Sequence, residues 1–187
     1  MAIEVLPATG RWNDFASFMV PRKPGGSGCI CMAYRGRGLD TAGRIAYMHD
    51  ECDRGPGPGV LAYRDGVVAG WASVAPRSTY SRLMNSRTIP LLDDQDPWSV
   101  VCFVVRAGHR RQGLMHDLLD GAVAHAERNG AAVVEGYPAD AGGERLDTIS
   151  AYVGTVDLFE QHGFTRAAPT TGHSGHRERW IMRRELR

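Results

Sequence analysis

What most constrains this chain is a strand, an arginine-rich turn and a helix in immediate succession between Trp98 and Arg128. The run Ser99-Val100-Val101-Cys102-Phe103-Val104-Val105 is almost continuously β-branched or aromatic, the pattern of a strand covered on both faces and so placed inside a sheet. Leu114, Leu118, Leu119, Ala122, Val123 and Ala126 then recur at helical spacing, which predicts a helix starting near Arg111 or Gln112. Between them lies Arg106-Ala107-Gly108-His109-Arg110-Arg111-Gln112-Gly113. A helix N-terminus already carries roughly half a positive charge, so arginines placed there call for an anion. Free amides around Gly113, with Arg110 and Arg111, would make a phosphate or pyrophosphate cradle. The alternative is a solvated basic turn that binds nothing.

The chain has 187 residues, 43% of them hydrophobic, enough for one domain with a real core, and a single domain over residues 1–187 is expected. A net charge of +1 provides no global basic field, which speaks against nucleic acid as the main partner. Cys29, Cys31, Cys52 and Cys102 form neither a CxxC pair nor a zinc quartet, so they read as reduced core thiols and no metal is expected. No window approaches the roughly 18 apolar residues of a membrane span. Met1 to Pro7 also lacks a basic leader, and the chain reads as cytoplasmic without a membrane partner.

In order, Trp12, Phe15, Phe18 and Met19 predict a helix over about 11–20, and 21–28 reads as a loop. Cys29 to Tyr34 reads as a strand or as a segment lining a ligand site. A helix follows over about 40–52, stopped by Gly55-Pro56-Gly57-Pro58-Gly59, a hinge or lip. Val60–Tyr63 and Val67–Val74, separated by Arg64-Asp65-Gly66, predict an antiparallel hairpin. Residues 77–97, with Arg77, Arg82 and Arg87, form a connection longer than a usual loop. After the central helix, Ala131 to Tyr137 reads as a buried strand parallel to the one ending at Val105, joined by a right-handed crossover. Ligands in such units sit at the carboxyl ends of the strands. Residues 139–149 read as a loop, and Tyr152, Val153, Val156 and Phe159 mark a helix ended by Gly163. Strands then begin at Phe164-Thr165 and around Arg179–Arg184, with a hairpin loop at His173–His176.

The stretch Phe103 to Met115 resembles the coenzyme-A signature of the GNAT superfamily of N-acetyltransferases: a hydrophobic strand, a short turn, and Arg/Gln-x-x-Gly-x-Gly/Ala opening a helix. Arg110-x-x-Gly113 matches, and Met115 stands where the family has a small residue. The stretch is neither a Gly-x-Gly-x-x-Gly fingerprint nor a P-loop. Phe159-Glu160-Gln161-His162-Gly163-Phe164 is similar to the family's late Tyr-x-x-x-Gly-Phe segment, with phenylalanine in place of the tyrosine that sits near the thioester sulfur in many relatives. Cys29-x-Cys31-Met32, Gly70-Trp71 and Glu135-Gly136-Tyr137-Pro138 resemble an actinobacterial-type branch. The resemblance runs through most of the chain. It implies an α/β (α+β) fold: a mixed, mostly antiparallel central sheet with a parallel splayed strand pair and flanking helices.

The resemblance also implies acetyl-CoA or another acyl-CoA as donor, held by Phe103, Val104, Val105, Arg110, Arg111, Gln112, Gly113, Leu114 and Met115. A backbone amide near Val104 would polarise the thioester carbonyl, and the acceptor amine would attack directly. An alkylamine with a pKa of about 10.4 must lose a proton first. Glu135, a carboxylate in an apolar strand, is one candidate base, with a structural partner of a neighbouring arginine as the alternative; Asp96, acting through water, is another. Tyr152 and Tyr137 are candidate proton donors to the thiolate, and Cys102 reads as packing rather than nucleophile. The expected partner is a small-molecule amine, with an acyl carrier protein as an alternative donor and a homodimer left open. A non-catalytic acyl-CoA-binding module is the reading from another class.

Overall fold

The computed structural model describes residues 2–22, 29–144, 147 and 150–186. The strands are β1 (Ile3–Pro7), β2 (Gly59–Arg64), β3 (Val67–Pro76), β4 (Trp98–Val105), β5 (Val133–Gly136), β6 (Thr165–Ser174) and β7 (Arg177–Glu185). The helices are α1 (Trp12–Met19), α2 (Thr41–Asp53), α3 (Ser81–Met84), α4 (Leu114–Arg128) and α5 (Val156–Gln161). The strands form one sheet in the order β1-β2-β3-β4-β5-β7-β6, in which β4 and β5 are parallel and the other neighbours antiparallel. This is the expected mixed, mostly antiparallel sheet with one parallel pair and flanking helices.

Each face of the sheet is covered by its own apolar cluster. On one, Leu114, Leu118, Leu119, Ala122 and Val123 of α4 pack with Phe103, Phe159 and Phe164. On the other, Phe15, Met48, Cys31, Trp71, Tyr80, Cys102 and Tyr137 pack together. That double cover explains why β4 reads as continuously apolar.

The parallel seam is short. Trp98, Ser99 and Val100 pair with Val134, Glu135 and Gly136, and β4 then runs on to Val105 without β5 beside it. The β3–β4 register also jumps, from Ser73 opposite Cys102 to Val74 opposite Val100, leaving Val101 as an extra residue on β4. Such a bulge bends a strand locally, here where the seam ends.

Several sequence expectations shift. Cys29 to Tyr34 is not a strand: Cys31 and Tyr34 have φ of 45° and 59°, which turn the chain, although Ile30, Cys31 and Met32 are buried. The central helix begins at Leu114 rather than at Arg111 or Gln112, because Arg111 (φ 61°) and Gly113 (φ 81°) adopt left-handed conformations that a helix cannot contain. The late helix is two pieces, a 3-10 turn Ser150–Val153 and α5, broken at Gly154 (φ 78°) and restarted where the Thr155 hydroxyl accepts from the Leu158 amide. The 77–97 connection holds a 3-10 turn (Arg77–Thr79) and α3. β1 is a further strand, an edge partner of β2. Residues 23–28 of the expected first loop and residues 145, 146, 148 and 149 of the 139–149 loop lie outside the described residues.

Where β5 ends, a Cβ added to Gly136 would lie 2.0 Å from the Phe159 ring. Gly136→Ala is therefore expected to lower unfolding free energy by about 1–3 kcal/mol, the usual cost of overpacking. Chemical denaturation checks this, and an unchanged midpoint would contradict the Gly136–Phe159 packing.

Candidate active site

The end of β4 and the loop before α4 form one continuous structure. The Arg106 amide donates to Ala69 O at 2.9 Å, and Val105 lies opposite Gly70, Val104 opposite Trp71 and Phe103 opposite Ala72. In an antiparallel ladder alternate residues point their amides to the same neighbour. Arg106 and Val104 thus face β3, while Phe103 and Val105 direct their amides to the side that β5 has vacated. The amide facing the gap is not that of Val104, as expected from the sequence, but those of its two neighbours.

Beyond Val105, the backbone N–H groups of Arg111, Gln112, Gly113, Leu114 and Met115 have no hydrogen-bond partner among the described residues. These are the orphan donors of a helix start, and the left-handed Arg111 and Gly113 bring the chain into α4 around them. Arg110 is exposed and its Nε donates to Val105 O at 3.2 Å, which ties it to the strand end. Gln112 bonds Gly108 O through Nε2 and Arg64 through Oε1. Leu114 is buried, and Met115 packs against the α4-side core, so its bulk is accommodated there. Beside the strand end is a cleft of about 390 Å³ lined by Phe18, Val20, Arg22, Val105, Arg106 and Arg110, among others. The Arg106 guanidinium stacks on Phe18, 5.2 Å from the ring centre.

Unsatisfied amides at a helix start, guanidinium groups at the loop and an unpaired strand edge leading to it fit an extended ligand that ends in phosphates. The comparisons identify the family with this arrangement. Residues 32–164 match the model of the acetyltransferase (GNAT) family. The chain belongs to the GNAT acetyltransferase family.

Similar solved structures of this fold include Ard1 from Thermoplasma volcanium, at 15% identity and a TM-score of 0.57, covering 100% of this chain and 99% of that one. The NatC complex bound to Gag peptide and CoA gives 13% identity and a TM-score of 0.59, covering 100% of both chains. The putative acetyltransferase yncA from Salmonella typhimurium with acetyl-CoA gives 18% and 0.54, covering 100% and 95%. No curated protein matches the sequence. As a GNAT acetyltransferase, the protein is an acyltransferase that draws on a coenzyme A thioester. Among the described residues, no cluster of three or more His, Cys, Asp or Glu side chains fits a metal ion. No described helix is long and apolar enough to cross a membrane.

The other residues singled out from the sequence are dispersed around this GNAT site. Asp96 precedes β4 at its far end, two residues before Trp98, which is itself roughly 20 Å from Val104 at about 3.3 Å per strand residue. Its carboxylate accepts from the Ser78 amide at 2.8 Å and the Ser78 hydroxyl at 2.6 Å. Glu135 lies opposite Ser99 and is fully buried. Its Oε1 accepts from Arg183 at 2.8 and 3.0 Å, and its Oε2 from the Tyr137 hydroxyl at 2.9 Å and Arg77 at 3.3 Å. Both oxygens are thus occupied well away from the open end of β4, which matches the alternative of a structural arginine partner. Tyr137 is held in the same network, and burial pushes its hydroxyl well above the usual tyrosine range.

Tyr152 stands on the 3-10 turn that packs against β4 and is 37% exposed. Burial, chiefly, raises its pKa, against the lowering effect of Arg179. Phe159 is fully buried, edge-on to Phe103 and Phe164. Cys102 lies beside Cys31, whose sulfur accepts from Trp71 Nε1 at 2.7 Å. Burial alone would raise the Cys31 thiol, but the bond with Cys102, the Arg35 charge and the Trp71 and Ser73 donors lower it to about 6; Cys102 is pushed up. Cys102 therefore keeps its proton and is no free nucleophile. The sequence reading missed Arg35, buried with its guanidinium on Cys31 O, Ser73 Oγ and Pro58 O. Its signal was absent because a lone arginine after a glycine-rich loop looks solvated.

Arg110→Ala is expected to raise the Kd for acetyl-CoA about tenfold, the low end for a charge-assisted phosphate contact; calorimetric titration reads it, and an unchanged Kd would contradict the cradle. Glu135→Gln is expected to lower unfolding free energy by roughly 3 kcal/mol, because the buried Arg77 loses its carboxylate partner and Arg183 is left with Asp93 alone. Denaturant unfolding measures this. Unchanged stability with a lost limb of the pH–rate profile would restore Glu135 as the base.

Proposed function

We propose that this domain transfers an acetyl or other acyl group from coenzyme A to the amine of a small molecule by direct attack on the thioester. The observation that carries this reading is the alignment of two outward-facing amides, Phe103 and Val105, with the unpartnered amides of 111–115 one loop further on. One set would hold the donor arm along the strand, and the other its pyrophosphate with Arg110 and Arg111.

The amides at Phe103 and Val105 are fixed by the ladder on the opposite side of β4, so they need no reorganisation to stabilise the developing oxyanion. Attack forms the new C–N bond, the attacking nitrogen gives up its surplus proton to solvent, and collapse breaks the C–S bond to release the coenzyme thiolate, which takes up a proton. The acceptor must arrive as a free amine, and the cleft favours this form: Arg22 and Arg106 line it and, among the described residues, no acidic side chain does. A cationic wall disfavours the ammonium state, and the proton leaves to solvent in the open cleft.

The thiolate needs little help, since its conjugate acid has a pKa of about 8.5. Tyr152 supplies what help there is, its raised pKa keeping the hydroxyl protonated through the physiological range. Phe159, buried in the core, takes no part in proton transfer.

Thiol release from acetyl-CoA in the presence of primary amines tests the function directly, and its absence with every amine tried would contradict it. Tyr152→Phe is expected to lower kcat about tenfold, below the general-acid range of 10²–10⁴ because the leaving group is good, with the KM for acetyl-CoA within about twofold. An unchanged kcat would remove Tyr152 from the reaction.

A further inference from the structure

On the α1–α2 face of the sheet, a second recess of about 530 Å³ is lined by Tyr34, Arg37, Arg82, Asn85, Ser86, Arg87 and Thr88. Its volume is that of a small-molecule site. Its three arginines come from the α1–α2 connection (Arg37), from α3 (Arg82) and from the α3–β4 connection (Arg87), and among the described residues no acidic side chain lines it. None of the three guanidinium groups has an ion-pair or hydrogen-bond partner among the described residues. In a chain with a net charge of only +1, three uncompensated cations on one concave surface are a local concentration of charge.

The wall of the recess is built rather than incidental. Tyr34 is held in the left-handed region at φ 59°, a conformation that residues other than glycine seldom adopt. Two elements, α3 and β7, hold it there. Its carbonyl accepts from the Arg82 amide at 2.9 Å, and its hydroxyl accepts from Arg179 Nη1 at 2.6 Å. The Arg179 guanidinium lies 5.9 Å from the Tyr34 ring centre.

Arg179 itself is 4% exposed, and among the described residues it has no carboxylate partner and its buried Nη2 has no hydrogen-bond partner. Its remaining contact is Nε to Tyr137 O at 2.7 Å. A fourth cation, desolvated and uncompensated, therefore stands behind Tyr34 and adds to the positive potential of the recess.

The recess is linked to the transfer site by packing: the 3-10 turn Ser150–Val153, which carries Tyr152, packs on both β4 and β6. On the other side, the Thr171 amide donates to Thr88 O at 3.3 Å, which brings the β6–β7 hairpin to the rim. An acceptor seated between the hairpin and Tyr34 would point inward to the end of β4.

We propose that this recess binds an anionic group of the acyl acceptor, so that the acceptor is an amine that also carries a carboxylate or a phosphate. This rests on the amine-acylation reading above and adds the acceptor's chemical class. The arginines hold the anion by charge-assisted hydrogen bonds, with the Ser86 and Thr88 hydroxyls beside them. Neutral amines lack this anchor, and the anchored amine reaches the cleft with its anion neutralised and its nitrogen leading.

Propylamine, β-alanine and O-phosphoethanolamine share a primary amine and differ in appended charge. With acetyl-CoA as donor, the anionic amines should show kcat/KM about tenfold or more above propylamine, the gain expected from one charge-assisted contact. The better of the two identifies the anion. In the Arg82→Gln/Arg87→Gln double variant the preference should fall below about twofold, with the KM for acetyl-CoA reporting an intact donor site. Equal kcat/KM for the three amines, or a preference that survives in the variant, overturns the proposal. If none of them is acylated, the transfer reading fails separately and the recess is read by binding. O-phosphoethanolamine is then titrated calorimetrically into protein saturated with coenzyme A, which occupies the loop cradle. Binding by the wild type and not by the double variant supports the recess; equal binding, or none to either, overturns it.

Discussion

Arg77, Arg183 and Tyr137 hold the Glu135 carboxylate at the closed end of the β4–β5 seam, and the open end depends on that hold. Through Glu135, β5 is tied to β7 by Arg183, to the turn after β3 by Arg77, and to the connection before β4 by the Arg183–Asp93 pair. A buried carboxylate is tolerated only when each oxygen is bonded, and here both are. With the seam fixed over three residue pairs, β4 can continue beyond Gly136 with a free edge. Phe159 presses on Gly136 and stacks edge-on with Phe103, so the ring keeps the two strands from closing further along.

The free edge and the loop divide the work between backbone and charge. Strand amides face the place where an acyl group would react, because the β3 ladder commits only every second one. The amides of the loop have no partner among the described residues, since Arg111 and Gly113 turn the chain out of helical geometry before α4 begins. Cations cluster on both sides of this axis: Arg22, Arg106 and Arg110 at the cleft, and Arg37, Arg82 and Arg87 at the recess. The near-neutral total charge conceals this, since most acidic residues lie elsewhere, several in pairs such as Asp140 and Glu160 with Arg166.

Much of the architecture was legible in the sequence. Residues buried on both sides leave an unbroken apolar run, which exposed β4; the Asp65-Gly66 turn between apolar runs exposed the hairpin of β2 and β3, and helical spacing exposed α4. The Arg110-x-x-Gly113 spacing also pointed to the loop before α4 as a candidate phosphate cradle. The β1 strand was not, because a short edge strand with mixed burial shows no period. The segment from Cys29 to Tyr34 has the composition of a strand, and only tertiary packing around Cys31 and Tyr34 reveals the turn. The site was harder still. Which way an amide points depends on ladder register, which no composition records, so the gap-facing groups are Phe103 and Val105 rather than Val104. Glu135 illustrates the same limit, since an isolated acid in an apolar strand reads equally as a base or as half of an ion pair until Arg77 and Arg183 are placed beside it.

The central claim is that the unpaired edge of β4 and the loop before α4 receive the donor together. Amide hydrogen exchange by NMR, with and without acetyl-CoA, tests it most directly. The account predicts added protection at Phe103, Val105 and the amides of 111–114, and little change at Val104, which the β3 ladder already protects. Protection gained at Val104 with none at its two neighbours, or no change along β4 when the coenzyme binds, would contradict it.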